Sequence, residues 1–251
     1  YLSWNKLNVL GRVYIAKEGI NAQINIPEHN LKKFKDLLYS IKEFNNVPFK
    51  VAIEEGLSFY KLTVKIKNEI VAYNISKNEY NINKIGKHLN YKEYNKAIDS
   101  GAIIVDMRNH YESEVGRFEN AIIPDVDKSE DLLPKVKKML SKNKNDKILM
   151  YCTGGIRCEK ASSYLIKHGF KDVNQLEGGI IQYSNDVKKN NVKSKFIGKN
   201  YVFDNRLGER ITNDILSNCH QCGNPSDEHI NCDNQACHIL FIQCKKCNKK
   251  F

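Results

Sequence analysis

The chain has 251 residues, 41% of them hydrophobic, with 40 Lys and Arg against 29 Asp and Glu for a formal charge of +11. That length suits two or three domains with a real core, and no apolar run approaches the ~20 residues that span a bilayer, so a helical membrane protein is excluded. The basic balance points to an acidic partner, nucleic acid first among them, against the plainer reading of a solvated Lys-rich surface.

Residues 1–85 read as an α+β region. Gly11–Ala16 and Ala22–Ile26 look like strands around a turn at Glu18-Gly19. Pro27 opens a helix with apolar positions at Leu31, Phe34, Leu37, Leu38 and Ile41. Phe49–Ile53 and Leu62–Ile66 alternate like strands with one exposed face. A helix over an antiparallel sheet is the simplest assembly. A ferredoxin-like domain would need one more strand before Tyr1, so that first strand is expected to be absent from this chain. Lys50, Lys61, Lys65 and Lys67 make the region a candidate for gripping RNA phosphates. Lys17, Glu18 and Asn21 bracket the glycine turn and are read first as hairpin residues, second as substrate contacts.

Residues 90–190 alternate helix and strand. The order is Tyr91–Asp99 helical, Ile103–Met107 extended, a loop, Asp131–Leu140 helical and Ile148–Tyr151 extended. Then come a helix Arg157–His168, a strand Val173–Leu176 and a helix after Gly178-Gly179. This pattern predicts an α/β domain with a mainly parallel sheet, whose ligands bind at the carboxyl ends of the strands. Cys152 falls at such an end.

The segment Cys152-Thr153-Gly154-Gly155-Ile156-Arg157 carries the clearest chemistry. An apolar strand delivers a cysteine into a glycine-bearing loop just before a helix. Backbone N–H groups, the helix N-terminus and Arg157 all favour a thiolate there. A buried structural cysteine is the bland alternative, but the loop is too polar and cationic for it. A phosphatase-like loop sets its arginine one position later, around a tetrahedral phosphate. The shorter spacing here suits a single sulfur, so Cys152 is expected to be a nucleophile or persulfide carrier. Cys158 reads equally well as packing under the helix or as a resolving thiol.

Residues 191–251 hold few periodic segments and six of the eight cysteines, all within the last 33 residues. They need support from the rest of the chain, from metal, or from both. Cys219-x-x-Cys222 and Cys244-x-x-Cys247 have the spacing of a four-thiolate zinc ribbon, and such a zinc would be structural. Cys232 and Cys237 are then left over. The clustering suits thiolate chemistry and metal binding in a reducing cytoplasm better than a secreted disulfide framework.

The Cys152–Arg157 loop resembles the active-site loop of the rhodanese domain, supported by Asp106-Met107-Arg108, Glu112, Gly116–Ile122 and Leu176–Ile180. Ile15–Asn21, Asp106–Glu112, Cys152–Ser162 and Phe196–Asp204 together resemble one subfamily, the rhodanese-containing tRNA uridine 5-hydroxylases. The resemblance covers essentially the whole chain. It implies oxygen-dependent conversion of the wobble uridine, position 34 of tRNA, to 5-hydroxyuridine. It also implies molecular oxygen as co-substrate, an electron donor it does not identify, a tRNA partner, a cytoplasmic location, and Cys152 as the catalytic cysteine acting as a persulfide. Gly116-Arg117-Phe118 departs from the family's usual Gly-His-Phe, and Arg117 is read as a tolerated surface change. Two other readings remain, a thiosulfate sulfurtransferase using the same loop and a non-catalytic RNA-binding protein.

Overall fold

The computed structural model describes residues 1–51, 56–126 and 128–250, which form two compact units. One comprises Tyr1–Ala72 with Phe203–Arg206, the other Tyr73–Val202 with Leu207–Phe251.

The first unit opens with a short helix α1 (Leu2–Asn5), then the hairpin β1 (Leu10–Ala16) and β2 (Gly19–Asn25). Helix α2 (Leu31–Tyr39) and strand β3 (Leu62–Ile66) follow. The sheet order is β2-β1-β3. β1 and β2 pair antiparallel, Ala16 opposite Gly19, so Lys17-Glu18 is a tight turn. β3 pairs with β1 in parallel, so the sheet is mixed rather than antiparallel. The long connection through α2 explains this, because it carries the chain back to the starting end of β1. Val13 and Leu62 join Phe34 and Leu38 of α2 in the core, with Ile15, Ile20, Ile24 and Val64 packed against them. Of the expected strand Phe49–Ile53, Phe49 to Val51 form no regular element, and Ala52 and Ile53 lie outside the described residues.

The second unit is built on β4 (Lys87–Leu89), β5 (Ile103–Asp106), β7 (Lys147–Tyr151) and β8 (Asp172–Leu176). Their order is β4-β8-β7-β5 and every pair is parallel. The helices are α3 (Tyr91–Asp99), α4 (His110–Val115), α5 (Ser129–Met139), α6 (Ile156–Lys167) and α7 (Gly179–Lys189). Leu149 and Tyr151 of β7 share a core with Tyr94 and Ala97 of α3 and Ile180, Tyr183 and Val187 of α7. Ile148 and Met150 alternate to the opposite face and are equally buried. Burial on both faces is why β7 reads as one continuous apolar run. The stretch expected as a loop after β5 contains α4, whose first turn is held by the Glu112 carboxylate accepting the Asn109 N–H at 3.0 Å.

The carboxyl-terminal segment is anchored by backbone pairing. β9 (Phe196–Asn200) pairs antiparallel with β6 (Gly116–Phe118), and β10 (Glu209–Arg210) extends that sheet. Hairpin β11 (His229–Asn231) and β12 (Leu240–Ile242), then a turn of helix α8 (Lys245–Asn248), complete the segment. No helix among the described residues is long and apolar enough to cross a membrane.

Candidate active site

β7 ends at Tyr151 and α6 begins at Ile156, so the loop between them presents Cys152 at the carboxyl edge of the parallel sheet. Gly155 takes a left-handed φ of +91°, which turns its N–H back onto the Cys152 Sγ at 3.1 Å. Cys152 is only 1% exposed, and burial alone would push its thiol up. The Cys158 thiol, the Arg157 charge and the backbone N–H groups of Arg157 and Cys158 outweigh burial and bring it from 9.0 down to about 5. Cys158 shifts the other way, raised by burial and by its hydrogen bond to Cys152. Cys152 is therefore the thiolate and Cys158 the donor that steadies it.

Arg157 is held in place by a second partner. Its guanidinium donates to both oxygens of Glu112, at 2.6 and 2.8 Å, and to the Thr153 hydroxyl at 3.1 Å. Thr153 donates in turn to Glu112. Glu112 is fully buried, so this two-pronged pair fixes the charge beside Cys152 where water cannot screen it. The buried Tyr73 donates to the Arg157 carbonyl at 3.3 Å.

A further tier sits beneath. Asp106, at the end of β5, accepts from the Arg108 guanidinium, Ser113 of α4 and the Tyr151 hydroxyl. Arg108 also donates to the Gly116 carbonyl at 2.6 Å. The other wall of the loop is the first turn of α7, where the Ile180 N–H bonds the Cys152 carbonyl and the Ile181 N–H bonds that of Thr153. Gly179 has φ +67°, and a Cβ there would lie 2.5 Å from the Cys152 carbonyl oxygen and 2.6 Å from the Gly155 nitrogen. Those neighbours are backbone and cannot swing away. Gly179→Ala is expected to displace the loop and slow Cys152 alkylation and catalysis on the order of 10²-fold, the usual loss for a misplacement near 1 Å. An unchanged iodoacetamide rate at pH 7 would refute this.

Of the six predicted loop residues, Gly155 and Arg157 are placed at the Cys152 sulfur and Thr153 braces Arg157. The sequence reading named Glu112 only as part of a motif and missed its role. The capping pattern, Asn109 followed three residues later by Glu112, signals the start of α4 but not the pairing with Arg157. Arg117 is half-buried and donates to the Ser113 carbonyl at 3.1 Å.

In the carboxyl-terminal segment the sulfurs of Cys219, Cys222, Cys244 and Cys247 all lie within 4.8 Å of one another, Cys222 and Cys244 at 3.7 Å. Four thiolates about 2.3 Å from a tetrahedral zinc sit ~3.8 Å apart, so this donor set fits that ion. The segment also packs on α4. Tyr111 meets the Tyr201 ring at 5.2 Å, and His220 approaches Glu114 at 3.5 Å.

Three family models match the chain, the UPF0176 acylphosphatase like domain over residues 1–70, the rhodanese-like domain over 90–186 and the rhodanase C-terminal model over 197–251. A tRNA uridine(34) hydroxylase of Leptospira interrogans is 53% identical over all of this chain and 69% of its own length. One from Photorhabdus laumondii is 49% identical over all of this chain and 72% of its own. The chain belongs to the tRNA uridine(34) hydroxylase family. Among solved structures, the thiosulfate sulfurtransferase of Pseudomonas aeruginosa is 19% identical, with a TM-score of 0.35 over 43% of this chain and 20% of its own. A rhodanese-like domain protein of Staphylococcus aureus is 26% identical, with a TM-score of 0.32 over 39% of this chain and 90% of its own. At such scores these likenesses add nothing to the family assignment.

Proposed function

We propose that this family member oxidises the wobble uridine of tRNA to 5-hydroxyuridine with Cys152 as its sulfur nucleophile. The observation that carries the residue assignment is the Cys152 cradle, in which Arg157, Cys158 and two backbone N–H groups stabilise the thiolate against burial. At neutral pH that sulfur is ionised and ready for attack. Addition to C6 of the uracil ring would leave an electron-rich C5. That carbon takes one atom of molecular oxygen, and the other leaves as water with two electrons from an external donor and two protons. Loss of the C5 proton and expulsion of the sulfur from C6 restore the ring. Burial of Cys152 favours a persulfide as the working form, because a terminal sulfur carries the reactive atom ~2 Å further out. The rim of the loop, Gly154 to Arg157, is half-buried and forms the mouth that such a sulfur would approach.

A plain sulfurtransferase could use the same loop, but the family assignment and the basic chain favour tRNA as the substrate. A tRNA substrate supports a cytoplasmic location. Mass spectrometry of tRNA nucleosides from cells with and without the gene tests the reading. Loss of 5-hydroxyuridine is expected on deletion, and restoration by the wild-type gene.

The four carboxyl-terminal thiolates would hold zinc in a structural role, since they leave no open position for chemistry. Protein purified without chelator is expected to carry one zinc per chain by elemental analysis, and Cys222→Ser to lose it. A metal-free wild-type protein with four titratable thiols in this segment would refute the site.

A further inference from the structure

The sheet of the first unit has two faces of opposite character. Val13, Ile15, Ile20, Ile24, Leu62 and Val64 line the face covered by α2. Strand alternation and register place the neighbours of these residues on the other face. Arg12 lies opposite Gln23 and Thr63, and Tyr14 lies opposite Asn21 and Lys65. Lys67 reaches the same face, with its Nζ 5.5 Å from the Tyr14 ring centroid.

Arg12, Gln23, Lys65 and Lys67 are exposed, and Tyr14, Asn21 and Thr63 are half-buried. No acidic side chain of the three strands shares this face. A solvated sheet surface usually mixes both signs of charge. Here three cations surround one aromatic ring, with uncharged amides and a hydroxyl beside it.

We propose that this face is an RNA-docking surface, on which an unstacked base lies against Tyr14 while Arg12, Lys65 and Lys67 contact the flanking phosphates. The proposal rests on the tRNA reading above and gives that substrate a place on the chain. Charge complementarity selects a polyanion. The central ring selects single-stranded RNA over a duplex, whose bases are not free to stack on a side chain. Asn21 and Gln23 add donors and acceptors for base edges. An anticodon loop presents unpaired bases of this kind.

The test is binding of the full chain to an anticodon stem-loop RNA and to a fully paired duplex of matched composition, across a salt series. Tyr14→Ala is expected to weaken the stem-loop complex about tenfold, with the salt slope and duplex binding unchanged, and Tyr14→Phe to restore it. Replacing Arg12, Lys65 and Lys67 by Gln is expected to flatten the log–log salt slope by roughly two to three. Removing three charges from the helix side (Lys32→Gln, Lys33→Gln, Lys42→Gln) is the matched control. The Cys152 alkylation rate, measured on every variant, reports whether the catalytic unit is intact.

Equal loss in the control, or no effect of Tyr14→Ala on the stem-loop, overturns the proposal while leaving the hydroxylase reading untouched. Stem-loop binding that depends on Tyr14 in a protein that forms no 5-hydroxyuridine sinks that reading and keeps the surface. Absence of RNA binding by the wild type overturns the surface outright.

Discussion

Cys152→Ser is expected to abolish 5-hydroxyuridine formation, a loss on the order of 10³-fold or more, with the fold intact. A serine hydroxyl is not ionised near neutral pH and carries no terminal sulfur, so both forms of the nucleophile vanish together. The loop's hydrogen bonds are mostly backbone to backbone or run through Glu112, and they survive the change. Full retention of the modified nucleoside in cells carrying only the serine variant would remove Cys152 from the mechanism. The pH dependence gives a second reading of the same group. With the thiol at about 5, iodoacetamide alkylation of Cys152 should rise through pH 5 and be nearly level by pH 7, where an ordinary thiol is still slow. Cys158→Ala removes a donor to the sulfur and should move that midpoint upward. The folded-state value lies below the unfolded one, so the thiolate's contribution to stability is complete above about pH 9. It shrinks as pH falls through the interval and is gone below pH 5.

Much of the catalytic unit was legible because its signals are local. β7 reads as buried on both faces, Gly155 marks the turn, and the helix after it is long and amphipathic. The expected helix Tyr91–Asp99 is also the observed one, since Asn90 and Glu93 cap it reciprocally. What escaped is what only the tertiary structure brings together. Glu112 lies 45 residues from Arg157, and its pairing depends on how α4 docks beside the loop. β6 and β9 are short, and they are strands because each finds a distant partner, β6 in β9 and β9 in both β6 and β10. In the first unit, periodicity anticipates β1, β2 and β3 but not their directions, since β1 and β3 are parallel, and the strand expected from Phe49 is not regular over its described residues. The four thiolates of the carboxyl-terminal segment are the converse case, where spacing alone anticipated a convergence that packing confirms.

The largest effect on stability is expected at Asp106. Its carboxylate and the Arg108 guanidinium are both fully buried and 2.7 Å apart. Asp106→Ala would strand a charge that cannot escape by losing its proton, because the arginine stays ionised across the accessible pH range. Breaking a buried pair in this way costs ~3–5 kcal/mol. At roughly 2–4 °C per kcal/mol for a unit of this size, the melting temperature should fall by about 10 °C. Asp106→Asn separates charge from shape. It keeps the volume and an oxygen for Ser113 and Tyr151 but leaves Arg108 unneutralised, so it should lose most of the same stability. If the asparagine variant melted with the wild type, the hydrogen bonds rather than the ion pair would be what the fold requires. The pair also reaches the chemistry. Tyr151 precedes Cys152 and donates to Asp106 at 2.7 Å, while Ser113 sits one residue beyond Glu112 and donates at 2.9 Å. One carboxylate therefore sets both the strand that delivers the nucleophile and the helix that holds Arg157. Variants at Asp106 should accordingly lose Cys152 reactivity at temperatures below their melting transition, which a core defect remote from the loop would not produce.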